Sequence, residues 1–172
     1  MNQRSFIALN IAVLTVSDTR QEADDTSGAY LKTAIESSGH HCVDKQIVKD
    51  DIYQIRSQMS QWIADDKVQV IVSTGGTGVT GRDGTPEAVS PLLDKEIEGF
   101  GEIFRMLSYE EIKTSSLQSR ALAGVANATY VFVLPGSSGA CKTAWTRIIN
   151  DQLDHQTAPC NLAMLIPRLN EK

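Results

Sequence analysis

Residues 68–86, VQVIVSTGGTGVTGRDGTP, constrain the fold more than any other part of the chain. Residues 68–72 are mostly β-branched and apolar, which is typical of a strand covered on both faces of a sheet. Gly75, Gly76 and Gly78 follow directly. Glycines adopt positive φ and leave backbone N–H groups open to a close anion. The segment therefore predicts a buried strand that runs into a phosphate-binding loop.

Two strings near this loop resemble nucleotide-binding motifs. Residues 76–81 match the letters GxGxxG, but the dinucleotide fingerprint needs its third glycine inside a helix. Here Thr85 and Pro86, a good N-cap and a good first helical residue, predict a helix that starts later and ends near residue 93. Residues 136–143, GSSGACKT, lack the second glycine of a P-loop, so Lys142 is predicted to be an exposed helix lysine.

Composition limits the class of protein. The chain has 172 residues, of which 41% are hydrophobic, enough for one domain, residues 1–172, with a sizeable core. A net charge of −5 without a basic run argues against nucleic-acid binding. No signal peptide or apolar run of membrane-spanning length is visible, so we expect no membrane association and a cytoplasmic location. The cysteines, Cys42, Cys141 and Cys160, lack zinc or disulfide-framework spacing and are expected to be reduced thiols.

Strand and helix patterns alternate along the chain. Strands are predicted at residues 7–16, 41–48, 68–72 and 129–134, and helices at 27–38, 52–63, 86–93, 101–108 and 140–153. Residues 117–125 are ambiguous between helix and extended structure. The alternation predicts an α/β fold, a three-layer domain with a central, mostly parallel sheet covered by helices on both faces.

Ligands of such sheets gather outside the carboxyl ends of the strands. The loops expected there carry Ser17, Asp50 with Asp51, the glycine loop at residues 75–78, and the segment 135–137 at a helix N-terminus. Helix N-termini and glycine loops both offer free N–H groups to anions. If these loops meet, the pocket combines two phosphate cradles with several carboxylates, which is the equipment for Mg²⁺ bridging a nucleoside triphosphate.

Simpler structural roles exist for each of these side chains. Asp50 or Asp51 can cap the following helix, and Ser137 can do the same for its own helix. Asp83 can accept hydrogen bonds within its own turn, as aspartate often does beside glycine. Arg82 can be a solvated surface charge.

Several segments form a recognisable pattern when they are taken together, namely LTVSDTR at 14–20, DDTSG at 24–28, STGGTGVTGRDGTP at 73–86, GFGEIFR at 99–105, Ser119-Arg120 and LPGS at 134–137. In this pattern the chain resembles the MoaB/MogA family of molybdenum cofactor biosynthesis. The order and spacing of the segments are more specific than any one of them, and they span nearly the whole chain. The resemblance, nearest to the MoaB branch, implies a MogA-like α/β fold and a homo-oligomer, either a trimer or a pair of trimers.

The resemblance also implies a reaction. It implies binding of molybdopterin and its adenylation by Mg²⁺ with ATP, giving molybdopterin-AMP and pyrophosphate. The two acidic positions of the family motif fall on Asp50 and Asp83, assigned to catalysis and to Mg²⁺, with Asp51 as the alternative to Asp50 after a one-residue shift. The implied substrate-binding residues are Ser17, Gly75, Gly76, Thr77, Gly78, Arg82, Pro135, Gly136 and Ser137.

Other functions fit the same residues. One is a molybdopterin-binding or carrier protein without turnover, which acts beside other molybdenum cofactor biosynthesis proteins. Another is a generic nucleotide-binding regulator, which would bind ATP but not the pterin. Paired carboxylates beside two anion cradles favour the enzyme, because a simple binder does not need them.

Overall fold

The computed structural model describes residues 4–171, and within them six strands form one sheet in the order β2-β1-β3-β6-β5-β4. The strands are β1 (Asn10–Val16), β2 (His41–Val48), β3 (Val70–Thr74), β4 (Lys95–Glu96), β5 (Leu122–Ala126) and β6 (Thr129–Leu134). The α-helices are α1 (Thr26–Ser37), α2 (Ile52–Ala64), α3 (Thr85–Val89), α4 (Glu98–Ile112), α5 (Ser138–Ala144) and α6 (Asn150–Leu153). A π-helical turn, Trp145–Ile149, joins α5 to α6, and 3₁₀ turns cover Ser90–Leu92, Lys113–Gln118 and Ala163–Arg168.

The four strands β2, β1, β3 and β6 run parallel, and β5 and β4 add an antiparallel edge. Thr74 of β3 pairs with Thr15 of β1 on one side and with Leu134 of β6 on the other. Val16 pairs with Val48 of β2. The carboxyl ends of these strands therefore lie at one level, and the loops that leave them start side by side.

Helices cover both faces of the sheet, which confirms the predicted three-layer arrangement. On one face α1, α4 and α5 pack over a cluster that includes Leu31, Phe104 and Phe132. On the other face α2 and α3 bury Ile55 and Val89 against the opposite side of the strands. Since β1, β3 and β6 are buried on both sides, their nearly continuous apolar sequences are explained.

Three elements, two strands and one helix, have boundaries that differ from the predicted ones. Strand β1 begins at Asn10 rather than residue 7, because Phe6 and Ile7 lie on the surface before the strand. Strand β3 is shifted to Val70–Thr74, since the N–H of Val68 is used in a turn to Asp65. Helix α4 extends well beyond the predicted residues 101–108 at both ends.

The ambiguous segment 117–125 divides at its middle. Its first residues finish the 3₁₀ turn Lys113–Gln118 and its last residues form β5, which pairs with β6. The short strand β4 was not predicted, because Lys95 and Glu96 are exposed charged residues with no strand-like pattern. The three cysteines are free, as predicted. No helix among residues 4–171 is both long and apolar enough to span a membrane.

A buried ion pair fixes the loop that follows β1. The side chain of Asp25 is fully buried, and its carboxylate accepts hydrogen bonds from Thr15 Oγ1 at 2.8 Å and from the N–H of Gly28 at 2.9 Å. The ammonium of Lys45 lies 2.8 Å from the same carboxylate. Burial raises the pKa of Asp25, but the bonds from Lys45, Gly28 and Thr15 outweigh it and hold that pKa below its usual value. One carboxylate thus ties β1, β2 and the start of α1 together.

We predict that Asp25→Asn lowers the free energy of unfolding by about 2–4 kcal/mol near pH 7, because the buried ammonium of Lys45 loses its buried partner and keeps only the exposed carboxylate of Glu22. The pKa of Asp25 is lower in the folded than in the unfolded state, so this stabilisation is complete above the unfolded value and lost as the pH falls through the folded one. The difference between wild type and Asp25→Asn should therefore shrink on acidification, as measured by urea unfolding at a series of pH values.

The matched control is Asp24→Asn, which changes an exposed neighbouring carboxylate. This variant should unfold with nearly wild-type stability at every pH. A difference for Asp25→Asn that stays constant down to strongly acidic pH would contradict the assigned role of its charge.

Candidate functional site

The loops after β1, β3 and β6 meet at Gly75. Its N–H donates to the carbonyl of Leu134 at 3.0 Å, and its φ is +111°. A Cβ at Gly75 would lie 2.1 Å from the carbonyl oxygen of Val16, and a Cβ at Gly136 would lie 3.3 Å from the Cα of Gly75. Only glycine permits this approach of three backbones. The glycine loop and the segment 135–137 are therefore in direct contact, as the sheet rule predicted.

Gly76 brings the loop against a carboxylate. Its φ is +65°, and a Cβ there would lie 2.3 Å from Thr85 Oγ1 and 3.0 Å from Asp50 Oδ2. The hydroxyl of Thr85 donates to the carbonyl of Gly75 at 2.8 Å, and the N–H of Thr85 donates to the carbonyl of Gly76 at 3.0 Å. The start of α3 thus holds the loop on one side, and Asp50 lies beside it.

The two adjacent acids at residues 50 and 51 have different environments. Asp51 caps α2, since its carboxylate accepts from the N–H groups of Tyr53 at 3.0 Å and Gln54 at 2.9 Å. The carboxylate of Asp50 faces the glycine loop and accepts a long bond of 3.4 Å from the N–H of Gly84. The helix-cap interpretation therefore holds for Asp51, and of the two acids it is Asp50 whose carboxylate lies beside the glycine loop.

The carboxylate of Asp83 bonds within its own turn and also lies beside the glycine loop. Its carboxylate accepts from the N–H of Thr80 at 2.9 Å and from the hydroxyl of the same residue at 2.6 Å, which closes its own turn. The carboxylate also lies against Gly78, where a Cβ would be 2.6 Å from Asp83 Oδ2. The turn fixes the orientation of Asp83 beside the glycine loop.

The two carboxylates have opposite pKa shifts. Burial raises the pKa of Asp50, the N–H of Gly84 partly opposes this, and the negative charges of Asp83 and Asp18 raise it further. The hydroxyl of Thr80 lowers the pKa of Asp83, and the N–H of Gly78 and the charge of Arg120 act in the same direction. The carboxylate of Asp83 is therefore stabilised by hydrogen-bond donors and a positive charge, whereas that of Asp50 has few such partners.

These loops line an open cavity of about 630 Å³. Most of the predicted site residues line it, namely Ser17, Gly75, Gly76, Thr77, Gly78, Asp83, Pro135, Gly136 and Ser137. Residues of α4 and of the 3₁₀ turn that follows it form another part of the wall, namely Phe104, Ser108, Glu111, Ile112, Ser115 and Gln118. The cavity is large enough for a ligand of small-molecule size.

Two predicted residues lie outside the wall of this cavity. Asp50 is behind the glycine loop, in contact with Gly76. Arg82 is exposed and forms a two-pronged pair with Asp18, with distances of 3.0 Å from Nε to Oδ2 and 2.7 Å from Nη2 to Oδ1. Arg82 is thus neither a free surface charge nor a wall residue.

The predicted hydroxyls also have structural roles. Ser17 Oγ accepts from the N–H groups of Thr19 and Arg20, which turns the chain at the end of β1. Ser137 Oγ accepts from the N–H of Ala140 at 3.1 Å and caps α5, so the N-cap interpretation of this residue is correct. The N-terminal end of this helix lines the cavity, where its free N–H groups favour anions. Lys142 is exposed on α5, as predicted.

Sequence reasoning missed three charged residues of the site. Arg20 lines the cavity and donates to the carbonyl of Gly136 at 3.1 Å. Because Arg20 follows β1 closely, the rule that ligands gather at the carboxyl ends of parallel strands could have identified it. Glu111 lines the cavity from α4 and accepts from Thr143 Oγ1 at 2.9 Å. Arg120 binds the outer side of the glycine loop. Neither Glu111 nor Arg120 follows a parallel strand, so the carboxyl-end rule indicates neither; Ser119-Arg120 is one of the segments of the family resemblance, but the resemblance gave Arg120 no role in the site.

The carboxylates at the glycine loop fit a magnesium ion shared with phosphate. Oxygen ligands from one or two carboxylates, completed by phosphates and water, are the usual set for Mg²⁺. Asp50 and Asp83 supply such oxygens at Gly76 and Gly78. Among residues 4–171, no three His, Cys, Asp or Glu side chains are grouped to hold a metal ion alone. Asp50 and Asp83 are therefore the side chains at this loop that could take part in holding such an ion.

Comparison with known proteins identifies the family. A family model described as "Probable molybdopterin binding domain" matches residues 12–155. Molybdenum cofactor biosynthesis protein B of Escherichia coli K12 is 62% identical over 156 residues, which cover 91% of this chain and 92% of that protein.

Solved structures agree with this match. A crystal structure of a molybdenum cofactor biosynthesis protein B has a TM-score of 0.88 and 39% identity, covering 98% of this chain and all of that one. The tungsten cofactor synthesizing protein MoaB of Pyrococcus furiosus has a TM-score of 0.74 and 38% identity, covering 82% of this chain and 90% of that one. The chain therefore belongs to the molybdopterin-binding domain family of molybdenum cofactor biosynthesis, the family that its sequence motifs resemble.

Proposed function

We propose that this protein binds molybdopterin and adenylates it with Mg²⁺ and ATP, releasing pyrophosphate. The observation that carries the proposal is one cavity lined by two backbone anion sites, the glycine loop and the N-terminal end of α5, with the carboxylate of Asp83 in its wall and that of Asp50 behind the loop, beside Gly76. A cavity with this equipment suits two phosphorylated ligands held side by side.

In the proposed reaction, the terminal phosphate of molybdopterin attacks the α-phosphorus of ATP. A new P–O bond forms as the bond to the β-phosphate oxygen breaks, and the electron pair leaves with pyrophosphate. No covalent enzyme intermediate is needed, because positioning two anions and neutralising the leaving group supply most of the rate. When bound, Mg²⁺ would provide this neutralisation, and Asp50 and Asp83 would hold it.

The remaining residues divide between binding and orientation. Gly75, Gly76, Thr77 and Gly78 would cradle phosphate, with the N–H groups of Gly76 and Thr77 as donors, because those of Gly75 and Gly78 already face Leu134 and Asp83. Ser17 with the segment 135–137 would line the pterin and nucleotide pocket. Arg20 lies in the cavity wall and adds a positive charge there. Arg82 would offset charge only after exchanging its partner Asp18 for a ligand phosphate.

We also propose that the protein acts in the cytoplasm as a homo-oligomer, a trimer or a pair of trimers, with other proteins of the pathway as further partners. Supporting this assembly, α4 and the turn after it expose several large apolar side chains, namely Ile103, Met106, Tyr109, Ile112 and Leu117. A molybdopterin carrier without turnover would use the same cavity, and it is distinguished by the first experiment below.

We predict that Asp50→Asn and Asp83→Asn each abolish formation of adenylylated molybdopterin, because the amide cannot supply a charged magnesium ligand. Purified protein would be given molybdopterin, ATP and Mg²⁺, with pyrophosphate release measured and the product identified by mass spectrometry. The matched control is Asp51→Asn, which keeps a helix cap of equal quality and should retain wild-type turnover.

Each outcome of this comparison has a clear meaning. Product from wild type and Asp51→Asn, but not from Asp50→Asn, supports the enzyme and the assignment of Asp50. Equal loss in Asp51→Asn would contradict that assignment. Binding of pterin by wild type without any product would reject the adenylyltransferase and leave the carrier. Tight binding of ATP without pterin binding would favour the regulator.

We predict that Gly76→Ala weakens ATP binding by about tenfold or more, since a methyl group would displace Thr85 and Asp50 and the φ of +65° disfavours alanine. The control is Gly81→Ala, because a Cβ at Gly81 meets no atom within 4 Å. Calorimetric titration of both variants with ATP and Mg²⁺ checks this. Equal losses in the two variants would show that the cradle at Gly76 is not the nucleotide site.

A further inference from the structure

Arg120 binds the outer side of the glycine loop with both its side chain and its backbone. Its Nε donates to the carbonyl of Gly78 at 2.8 Å and its Nη2 donates to the carbonyl of Asp83 at 2.9 Å. Its backbone N–H donates to the carbonyl of Thr77 at 3.3 Å. One residue, 37 positions away from Asp83, therefore holds three carbonyls of the loop that carries the candidate catalytic carboxylate.

The bond to Asp83 sets the direction of an N–H group at the second carboxylate. In a planar trans peptide the C=O and the following N–H point in opposite directions. The peptide that joins Asp83 to Gly84 has its carbonyl on Arg120, and its N–H donates to Asp50 Oδ1 at 3.4 Å. Fixing the carbonyl on one side thus aims the N–H at Asp50 on the other.

The bond to Thr77 has the same consequence for Asp83. The peptide that joins Thr77 to Gly78 has its carbonyl on the backbone N–H of Arg120. Its own N–H faces the carboxylate of Asp83, where it helps to lower the pKa of that group. Two of the three peptides that Arg120 holds therefore have N–H groups that face Asp50 and Asp83.

Arg120 is itself fixed from both sides. Its Nη1 pairs with the carboxylate of Glu87 on α3. Arg105 of α4 donates to the carbonyl of Ala121 at 3.0 Å and more weakly to that of Ser119 at 3.5 Å, which holds the backbone around Arg120. A guanidinium offers several donors in a rigid plane, which suits simultaneous bonds to two carbonyls and a carboxylate.

We propose that Arg120 is a positioning residue, which orients the peptides of the glycine loop so that their N–H groups hold the carboxylates of Asp50 and Asp83 in place for the reacting phosphates. Its effect on turnover rests on the proposed function, whereas its effect on the loop does not. The planar guanidinium of Arg120 bonds to two carbonyls at once. A lysine at this position would keep the positive charge but not this set of donors, so we do not expect it to replace Arg120.

The test compares Arg120→Ala and Arg120→Lys with Arg56→Ala. Arg56 is a matched control, since its guanidinium also donates to two carbonyls, those of Glu87 at 2.9 Å and Ala88 at 3.2 Å, but on α3 rather than on the glycine loop. Amide hydrogen exchange of the unliganded proteins is followed by NMR, with the β3 amides as internal reference. Turnover is then measured with molybdopterin, ATP and Mg²⁺.

We predict that both Arg120 variants exchange the amides of Gly78 and Gly84 about tenfold faster, with β3 amides unchanged. Their kcat should fall about 10- to 100-fold with a smaller change in KM for ATP, because binding is retained while orientation is lost. Arg56→Ala should change neither quantity. If Arg120→Ala does not fold, Arg120→Lys alone carries the comparison.

Three results would overturn the proposal. The first is unchanged exchange at Gly78 and Gly84 in folded Arg120 variants. The second is full restoration by Arg120→Lys of exchange and turnover, since charge alone would then suffice. The third is an equal effect of Arg56→Ala. If wild type shows no turnover, the proposed function fails, and the exchange measurement still decides the role of Arg120.

Discussion

The close approach of three backbones at Gly75 is the constraint on which the site depends. Strands β1, β3 and β6 are parallel and end at one level, so the loops that leave them compete for the same space. A side chain at residue 75 would lie 2.1 Å from the carbonyl oxygen of Val16 and force β1 away from β3. The loops of β1 and β6 would then separate, and with them the walls of the cavity.

The other glycines of the loop have protein neighbours as well. A Cβ at Gly76 meets Thr85 and Asp50, and a Cβ at Gly78 meets the carboxylate of Asp83. Glycine is therefore required at these positions by the packing of Asp50, Asp83 and the start of α3 against the loop, and not only by a ligand. This packing places the carboxylates of Asp50 and Asp83 next to backbone N–H groups of the loop.

The parallel sheet and the loops at its carboxyl edge could be predicted because they follow from local patterns. Apolar runs, glycines and the order of strands are all readable along the chain, and they located Ser17, Asp50, Asp83 and the segment 135–137. Arg120 and Glu111 could not be found in this way. Arg120 reaches the site from the segment before an antiparallel strand, β5, and Glu111 reaches it from the last turn of α4. Their positions depend on how distant elements pack, which no short-range pattern records.

The two arginines near Asp83 show that adjacency in sequence does not predict contact in the structure. Arg82 is next to Asp83 in sequence, yet its guanidinium turns outward to Asp18, and the carbonyl of Asp83 is held by Arg120 from a distant segment. The pair of Arg82 with Asp18 is exposed to solvent, where such pairs contribute little and exchange partners easily. The pair of Lys45 with Asp25 is buried and fixed. The pair of Lys45 with Asp25 thus fixes its loop from inside the fold, whereas the guanidinium of Arg82 lies at the surface, where it can exchange Asp18 for another anion.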